Sequence, residues 1–385
     1  MKFEMTAPCH FGVEAVLKRE MRDQGFEITG VKDGRISFTG DERDLCRANI
    51  CLRTADRILL DVGEFEARTF EELFEKTRAL PWERYLPPDA RFWVKKATSV
   101  NSTLFSTPSI QSIMKKAMVR RMEAAYRTDV FPETGEEYPV RVLLMKDHVS
   151  VCLDTSGASL HKRGYRAEAG EAPISEALAA ALIMLTPWRG DRILVDPFCG
   201  SGTIPIEAAM MAANIAPGMN RTFTAQKWTN LIPDECWRSV FDEARAAVRM
   251  PEKTDIRGYD IDGRILKTAR ANAKKAGVGD MIHFQQMDVA DVKHPKKYGF
   301  VVTNPPYGER MDPADLPGIY RAFGRCADGL DSWSFYMITS YRDAEKYFGR
   351  KASRKRKIYN GMLRTDYLQF PGAKPPKRDR ITSHE

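Results

Sequence analysis

Asn304, Pro305, Pro306 and Tyr307 follow an apolar run at 300–302. The Asn304 side-chain oxygen and the Pro305 carbonyl are both acceptors, and each can take one hydrogen of a primary amine. An amine conjugated to a heteroaromatic ring is a poor nucleophile, because its lone pair is delocalised into the ring. Two fixed acceptors let that nitrogen pyramidalise and aim its lone pair at an electrophile. The paired prolines fix φ and remove N–H donors, so the loop is stiff and the Pro305 carbonyl stays free. Tyr307 can stack on the ring and hold it in line. Proximity and orientation then supply the rate. No strong base is needed, since the alkylated ammonium sheds its proton readily. A base inside a helix would have to be flipped out or already unpaired.

The electrophile is indicated by a turn upstream, Asp196, Pro197, Phe198, Cys199, Gly200, Ser201, Gly202 and Thr203, placed after a short apolar strand and opening a helix. Gly200 and Gly202 allow a sharp turn and a close backbone approach to a ligand, and the helix N-terminus offers free N–H groups to an anion. A dinucleotide site would want a third glycine at 205, where Pro205 stands, and no Gly-Lys-Ser/Thr follows as in a P-loop. S-adenosylmethionine (SAM) presents a carboxylate, for which a shorter glycine turn suffices. On the next strand Asp260 is expected to accept from the ribose hydroxyls, with Ile261 beside it, while Asp262 is more simply the N-cap of the following helix. Asp288 is the expected acceptor for the adenine amino group, with Asp291 competing, and the Val289 N–H is expected at a ring nitrogen. Asp260 lies much further past the glycines than the usual interval of about 20 residues. Residues 214–250 are therefore read as an insertion over the site.

These residues need a scaffold. From 176 onward helices and strands alternate: strands at 193–195, 256–259, 282–286, 300–302 and 335–338, and helices at 176–185, from 203, at 264–276 and at 316–326. Runs at 357–359 and 363–370 flank Asn360-Gly361, a hairpin signal. The pattern predicts an α/β, Rossmann-like domain with a seven-stranded, mostly parallel sheet and ligands at the carboxyl ends of its strands. Through about 155 the reading is α+β: a strand at 1–6, a helix at 13–24, a hairpin turning at Asp33-Gly34, a strand at 91–96, a helix at 109–122 and a hairpin over Lys146-Asp147. A Gly-, Ala- and charge-rich stretch at 161–176 reads as a hinge. The expected domains are 1–65, 66–160 and 161–385.

With 43% hydrophobic residues among 385, the chain can bury sizeable cores. It has no apolar run of about eighteen residues and no secretory signal pattern, so a cytoplasmic location is expected. Its seven cysteines are dispersed without a CxxC pair, and neither a disulfide framework nor a metal site is expected. The net charge is +8, concentrated at 350–357 (RKASRKRK) and 371–380 (PGAKPPKRDR), clusters that attract a phosphate backbone. The helix at 109–122 carries Lys115, Lys116, Arg120 and Arg121 beside an apolar face, and these four are the candidate RNA contacts.

At TAPCHFGVEAVLKREM, STPSIQSIMKKAMVRRM, DPFCGSGTIPIEAA, GYDID, TNPPYGER and IYNGMLRTDYLQF the chain resembles the THUMP-domain class I SAM-dependent RNA methyltransferases. Within them it is most similar to the guanine-N2 branch, which includes the N-terminal half of the bacterial 23S rRNA guanine-N2 methyltransferase. The resemblance implies a ferredoxin-like segment, a THUMP module that docks RNA, and methyl transfer at Asn304–Tyr307. It implies SAM contacts from the 196–203 turn, Asp260 and Asp288. Single-domain tRNA guanine-N2 enzymes share this plan. Some relatives carry a second methyltransferase domain at the C-terminus; here a basic tail follows, and no second activity is expected on this polypeptide. DNA adenine-N6 and protein glutamine methyltransferases also carry NPPY, but without the N-terminal RNA module. A non-catalytic RNA-binding protein would usually show a degraded glycine turn or NPPY, and both are intact.

Overall fold

The computed structural model describes residues 2–166, 174–307, 312, 314–361 and 363–376. Residues 167–173 of the expected hinge, 308–310 after NPPY and 377–380 of the basic tail lie outside the described residues. The chain forms two compact units.

In the first unit, β1 (Phe3–Pro8), α1 (Glu14–Asp23), β2 (Glu27–Lys32), β3 (Arg35–Gly40), α2 (Glu42–Cys51), β4 (Leu59–Glu66), α3 (Phe70–Ala79), β5 (Arg91–Val100), α4 (Thr107–Tyr126), β6 (Glu137–Met145) and β7 (His148–Asp154) follow in order. They build a single sheet, β2-β3-β1-β4-β7-β6-β5, antiparallel except for the β5/β6 pair. β4 pairs with β1 on one side and β7 on the other, so the sheet runs unbroken past residue 65. The β6–β7 hairpin turns on Lys146 and Asp147, both at positive φ, the backbone that suits a two-residue hairpin loop. α2 starts on a reciprocal capping box: Asp44 N–H donates to Asp41 Oδ1 at 2.9 Å, and Asp41 N–H donates back to Asp44 Oδ2. Pro108 sits in the first turn of α4, behind Ser106 as N-cap.

The second unit contains α5 (Glu176–Met184), β8 (Leu194–Asp196) and α6 (Thr203–Ala212). The chain then returns to the first unit for residues 216–247, including α7 (Asp234–Ala246). It resumes with β9 (Ile256–Asp260), α8 (Gly263–Lys275), β10 (Ile282–Gln286), β11 (Phe300–Thr303), α9 (Leu316–Gly329), β12 (Ser334–Thr339), α10 (Ala344–Phe348), β13 (Arg354–Asn360) and β14 (Leu363–Phe370). The sheet order is β10-β9-β8-β11-β12-β14-β13. Five strands are parallel, and β14 runs antiparallel to both neighbours. This is the expected Rossmann-like sheet. Among the described residues no helix is long and apolar enough to cross a membrane.

One expectation needs correction. Residues 214–250 were read as an insertion within a 161–385 domain, yet 216–247 belong to the first compact unit. Gly218 N–H donates to Ile50 O at 2.9 Å and Ala225 N–H to Thr155 O at 3.0 Å. Trp228 stacks on Tyr138 with ring centroids 4.8 Å apart. The cause is burial: Trp228, Ile232 and Trp237 need an apolar surface, and they find it there. The stretch read as a hinge holds a boundary between the two units, which falls between Arg163 and Gly164. Arg163 is buried and donates to the carbonyls of Leu160 and Arg53; Tyr165 is buried with its hydroxyl on Glu207 Oε1 at 3.1 Å. Composition marked these as loose, but each guanidinium or phenol has a buried partner.

Candidate functional site

β8 and β11 lie side by side and parallel, with Leu194 opposite Phe300 and Val195 opposite Val301. The glycine turn and NPPY therefore leave the sheet together at the carboxyl ends of adjacent strands. The chain crosses to β9 on one side of β8 and to β12 on the other side of β11, so this is the topological switch point where such sheets bind ligands. The two loops are joined. Thr303 Oγ1 donates to Asp196 Oδ1 at 2.6 Å, and Phe198 N–H donates to the same oxygen at 3.1 Å.

Burial pushes the Asp196 carboxyl up to about 7, the Thr303 and Phe198 donors pull it back in part, and the charge of Asp260 adds to the rise. An unfolded Asp196 ionises near its ordinary 3.8, so between those two values the folded state holds a proton that the unfolded state has released. Stability contributed here is complete below the ordinary value and falls as pH rises toward about 7. Asp196→Asn keeps the acceptor and abolishes the titration. The variant is expected to match wild type in stability at acid pH and to exceed it above neutrality, by at most roughly 4 kcal/mol, with a higher melting temperature there. Parallel melting curves at every pH would remove Asp196 from this role.

Gly200 and Gly202 both adopt positive φ, 53° and 84°, and a Cβ on Gly200 would meet nothing within 4 Å. The turn is thus open on its ligand-facing side, a cradle that suits the end of a cofactor. Asp260, at the end of β9, holds the turn: Gly200 N–H donates to its Oδ2 at 2.9 Å and Asp262 N–H to its Oδ1 at 3.0 Å. Each carboxylate oxygen keeps a second acceptor position for a hydroxyl. Asp262 caps α8 through Arg264 N–H at 2.9 Å. Ile261 is 68% exposed, an apolar side chain in water at the lip of the site. Asp288 is exposed and accepts from Ala290 N–H at 2.8 Å with one oxygen; Val289 is buried just after it. Asp260→Ala is expected to weaken SAM binding by about 10- to 100-fold, the worth of a charge-assisted hydrogen bond and an untied turn. Calorimetry checks this, and an unchanged dissociation constant would move the role to Asp262.

Asn304 Oδ1 is buried and has no hydrogen-bond partner among the described residues. Pro305 is buried beside it. Tyr307 is 3% exposed, and its hydroxyl accepts from Asn360 Nδ2 at 3.3 Å. The expected stacking ring is thus packed in place, and a base must uncover it to reach its face. Tyr320, buried in α9, donates to Pro306 O at 3.4 Å and sits 2.7 Å from Thr339 Oγ1. Thr303, Tyr320 and Asn360 brace the loop; in the sequence Asn360 was read only as a hairpin turn, and the other two were not singled out. Arg166, which donates to Thr203 Oγ1 at 2.8 Å and pairs with Glu176, was missed as well. Thr303 alone gave a signal, as the polar residue that ends an apolar strand.

Comparison with known proteins fits this geometry. Residues 163–369 match the RMKL-like methyltransferase domain family, 4–59 the RlmL ferredoxin-like domain and 67–154 the THUMP domain. A protein of Bacillus subtilis (strain 168) named "Putative RNA methyltransferase YpsC" is 45% identical over 98% of both chains. The chain belongs to the THUMP-domain, SAM-dependent RNA methyltransferases. The ribosomal RNA large subunit methyltransferase K/L of Cellvibrio japonicus (strain Ueda107) is 33% identical over 94% of this chain, which spans 50% of that protein's length. The crystal structure of SMU.472 complexed with SAH superposes with a TM-score of 0.92 at 43% identity, covering 97% of this chain and 99% of that one. The cofactor of this methyltransferase is SAM.

The four cations of α4 differ in how free they are. Lys115 pairs with Glu133 at 2.7 Å and lies 3.7 Å from the Phe92 ring centre. Arg121 is held by both oxygens of Glu83. Among the described residues Arg120, which is exposed, pairs only along its own helix, with Glu123, and exposed Lys116 has no partner. Of these four, Lys116 and Arg120 are therefore the better candidates for phosphate contact. Lys116→Ala with Arg120→Ala is expected to reduce the salt slope of RNA binding by about 1–2, while changing Lys115 and Arg121 should mainly cost stability. Equal slopes for the two double variants would refute the distinction.

Proposed function

We propose that this methyltransferase methylates the exocyclic N2 amine of a guanine in 23S rRNA. The observation that carries the amine assignment is the buried Asn304 Oδ1, unpartnered among the described residues, next to the Pro305 carbonyl. A buried acceptor without a donor costs about 1–3 kcal/mol, a deficit that an incoming amino hydrogen removes. Asn304 and Pro305 then hold both amine hydrogens, and the nitrogen lone pair turns toward the cofactor side. SAM, when bound, supplies an electrophilic methyl group. The 196–203 turn, Asp260, Ile261 and the Asp288-Val289 step orient it across the switch point. Tyr307, tied by Asn360 and flanked by Tyr320, fixes the plane in which the base must lie. The 66–160 segment docks the RNA.

Support for ribosomal RNA comes from the Cellvibrio japonicus relative, and for guanine N2 from the family resemblance. The test is nucleoside mass spectrometry of 23S rRNA and tRNA from cells lacking the protein. Loss of N2-methylguanosine from 23S rRNA is the expected result; its loss from tRNA alone, or loss of N6-methyladenosine instead, would overturn the assignment.

A further inference from the structure

One end of the second unit's sheet carries side chains that methyl transfer does not use. Phe11 is 52% exposed and Tyr359 40%, and their rings meet edge to face with centroids 6.2 Å apart. Their backbone is firmly held. Tyr359 N–H donates to Phe11 O at 3.2 Å, and His10 bridges Tyr359 O at 3.1 Å and Ser175 Oγ at 3.0 Å. Arg356 donates to Gly12 O at 3.2 Å. Gly12, at φ +95°, lies so close to β13 that a Cβ would stand 2.1 Å from Lys357 O. Residues 10–13 are thus clamped along β13, and the aromatic pair projects from a rigid base.

Cations frame the pair. Arg364 is directly opposite Tyr359 in the β13–β14 ladder, and so shares its face. Lys357, two residues before Tyr359, points the same way. Both are exposed, and neither forms an ion pair among the described residues. Lys355 and Arg350, from the same basic run, are by contrast paired with Glu345 and Asp328. The same strand end reaches the reaction loop from its other face: Asn360, next to Tyr359 in sequence, is the residue that donates to Tyr307.

We propose that Phe11 and Tyr359 form a stacking platform for an unpaired nucleotide beside the target base, with Lys357 and Arg364 taking its phosphates. Aromatic faces with adjacent unpaired cations fit single-stranded RNA, whose bases stack and whose backbone is anionic. An edge strand needs charges to prevent pairing, but it does not need exposed aromatic rings. The platform rests on the RNA reading above and adds to it a second contact with the RNA.

The test uses the full chain, deproteinised 23S rRNA with labelled SAM, and a single-stranded oligoribonucleotide containing 2-aminopurine. Phe11→Ala with Tyr359→Ala is expected to raise KM for the rRNA roughly tenfold, and to abolish the quenching of 2-aminopurine seen with wild type. SAM affinity should stay within twofold. Tyr359→Trp should restore quenching and Tyr359→Leu should not, which separates stacking from apolar contact. Wild-type KM and quenching in the double variant would overturn the platform and leave the surface to a protein partner. Absence of labelling by wild type would instead count against the rRNA assignment, and the quenching measurement would still decide the platform.

Discussion

Asn304→Ala is expected to lower methyl transfer by about 100- to 1000-fold while SAM binds as before. The size follows from removing a preorganised acceptor at the reacting atom, which typically costs that much in turnover. The split follows from position: the cofactor side is assigned to the 196–203 turn and Asp260, neither of which, among the described residues, donates a hydrogen bond to Asn304 Oδ1. Stability should not fall. Asn304 Oδ1 is buried without a partner among the described residues, and deleting an unsatisfied acceptor is neutral or favourable for the fold. An equal or higher melting temperature with lost turnover would show that the side chain is kept for chemistry at a small cost to the fold. Asn304→Asp is the companion variant: it keeps an acceptor but adds a charge, and should recover part of the rate at most. Single-turnover assays with labelled SAM would measure both, and wild-type turnover in the alanine variant would end the role assigned to Asn304.

The residues of this site were legible because they are local. The glycine turn, the acid after β9 and NPPY each announce themselves within a few consecutive residues, and the alternation of strands and helices places them at one sheet edge. What escaped was of two kinds. α3 buries only Leu73 and Thr77, too narrow an apolar face to mark a helix by periodicity. β4 mixes Asp61, Glu64 and Glu66 into its run, and only three of its eight residues are buried. The second kind is long-range. Charge on α4 reads as a single basic face, since nothing near Arg121 or Lys115 reveals that Glu83 and Glu133 lie across from them. Tyr307 reads as an open stacking ring, because Asn360 reaches it from 53 residues away.

The 214–250 interval belongs to that second kind, and Trp228 tests it. Its amphipathic helix was readable, but an apolar face does not name the surface that will cover it. Trp228 is fully buried, its ring 12° from parallel with Tyr138, and its Nε1–H donates to Glu137 O at 2.8 Å. Trp228→Ala should therefore destabilise the first unit by about 3–5 kcal/mol, the range for truncating a large buried aromatic. Trp228→Phe keeps a ring on Tyr138 but loses the donor, and should cost about 1–2 kcal/mol. SAM affinity measured below the unfolding transition should be unchanged in both. A cover over the cofactor site predicts the reverse, a weaker SAM complex with little loss of stability, because a loop that shields a ligand contributes little when the ligand is absent. Urea unfolding and SAM calorimetry on the same two variants decide between them. If stability is lost and SAM binding holds, the interval that separates β8 from β9 in sequence serves the first unit, and the long gap between the glycine turn and Asp260 needs no lid to explain it.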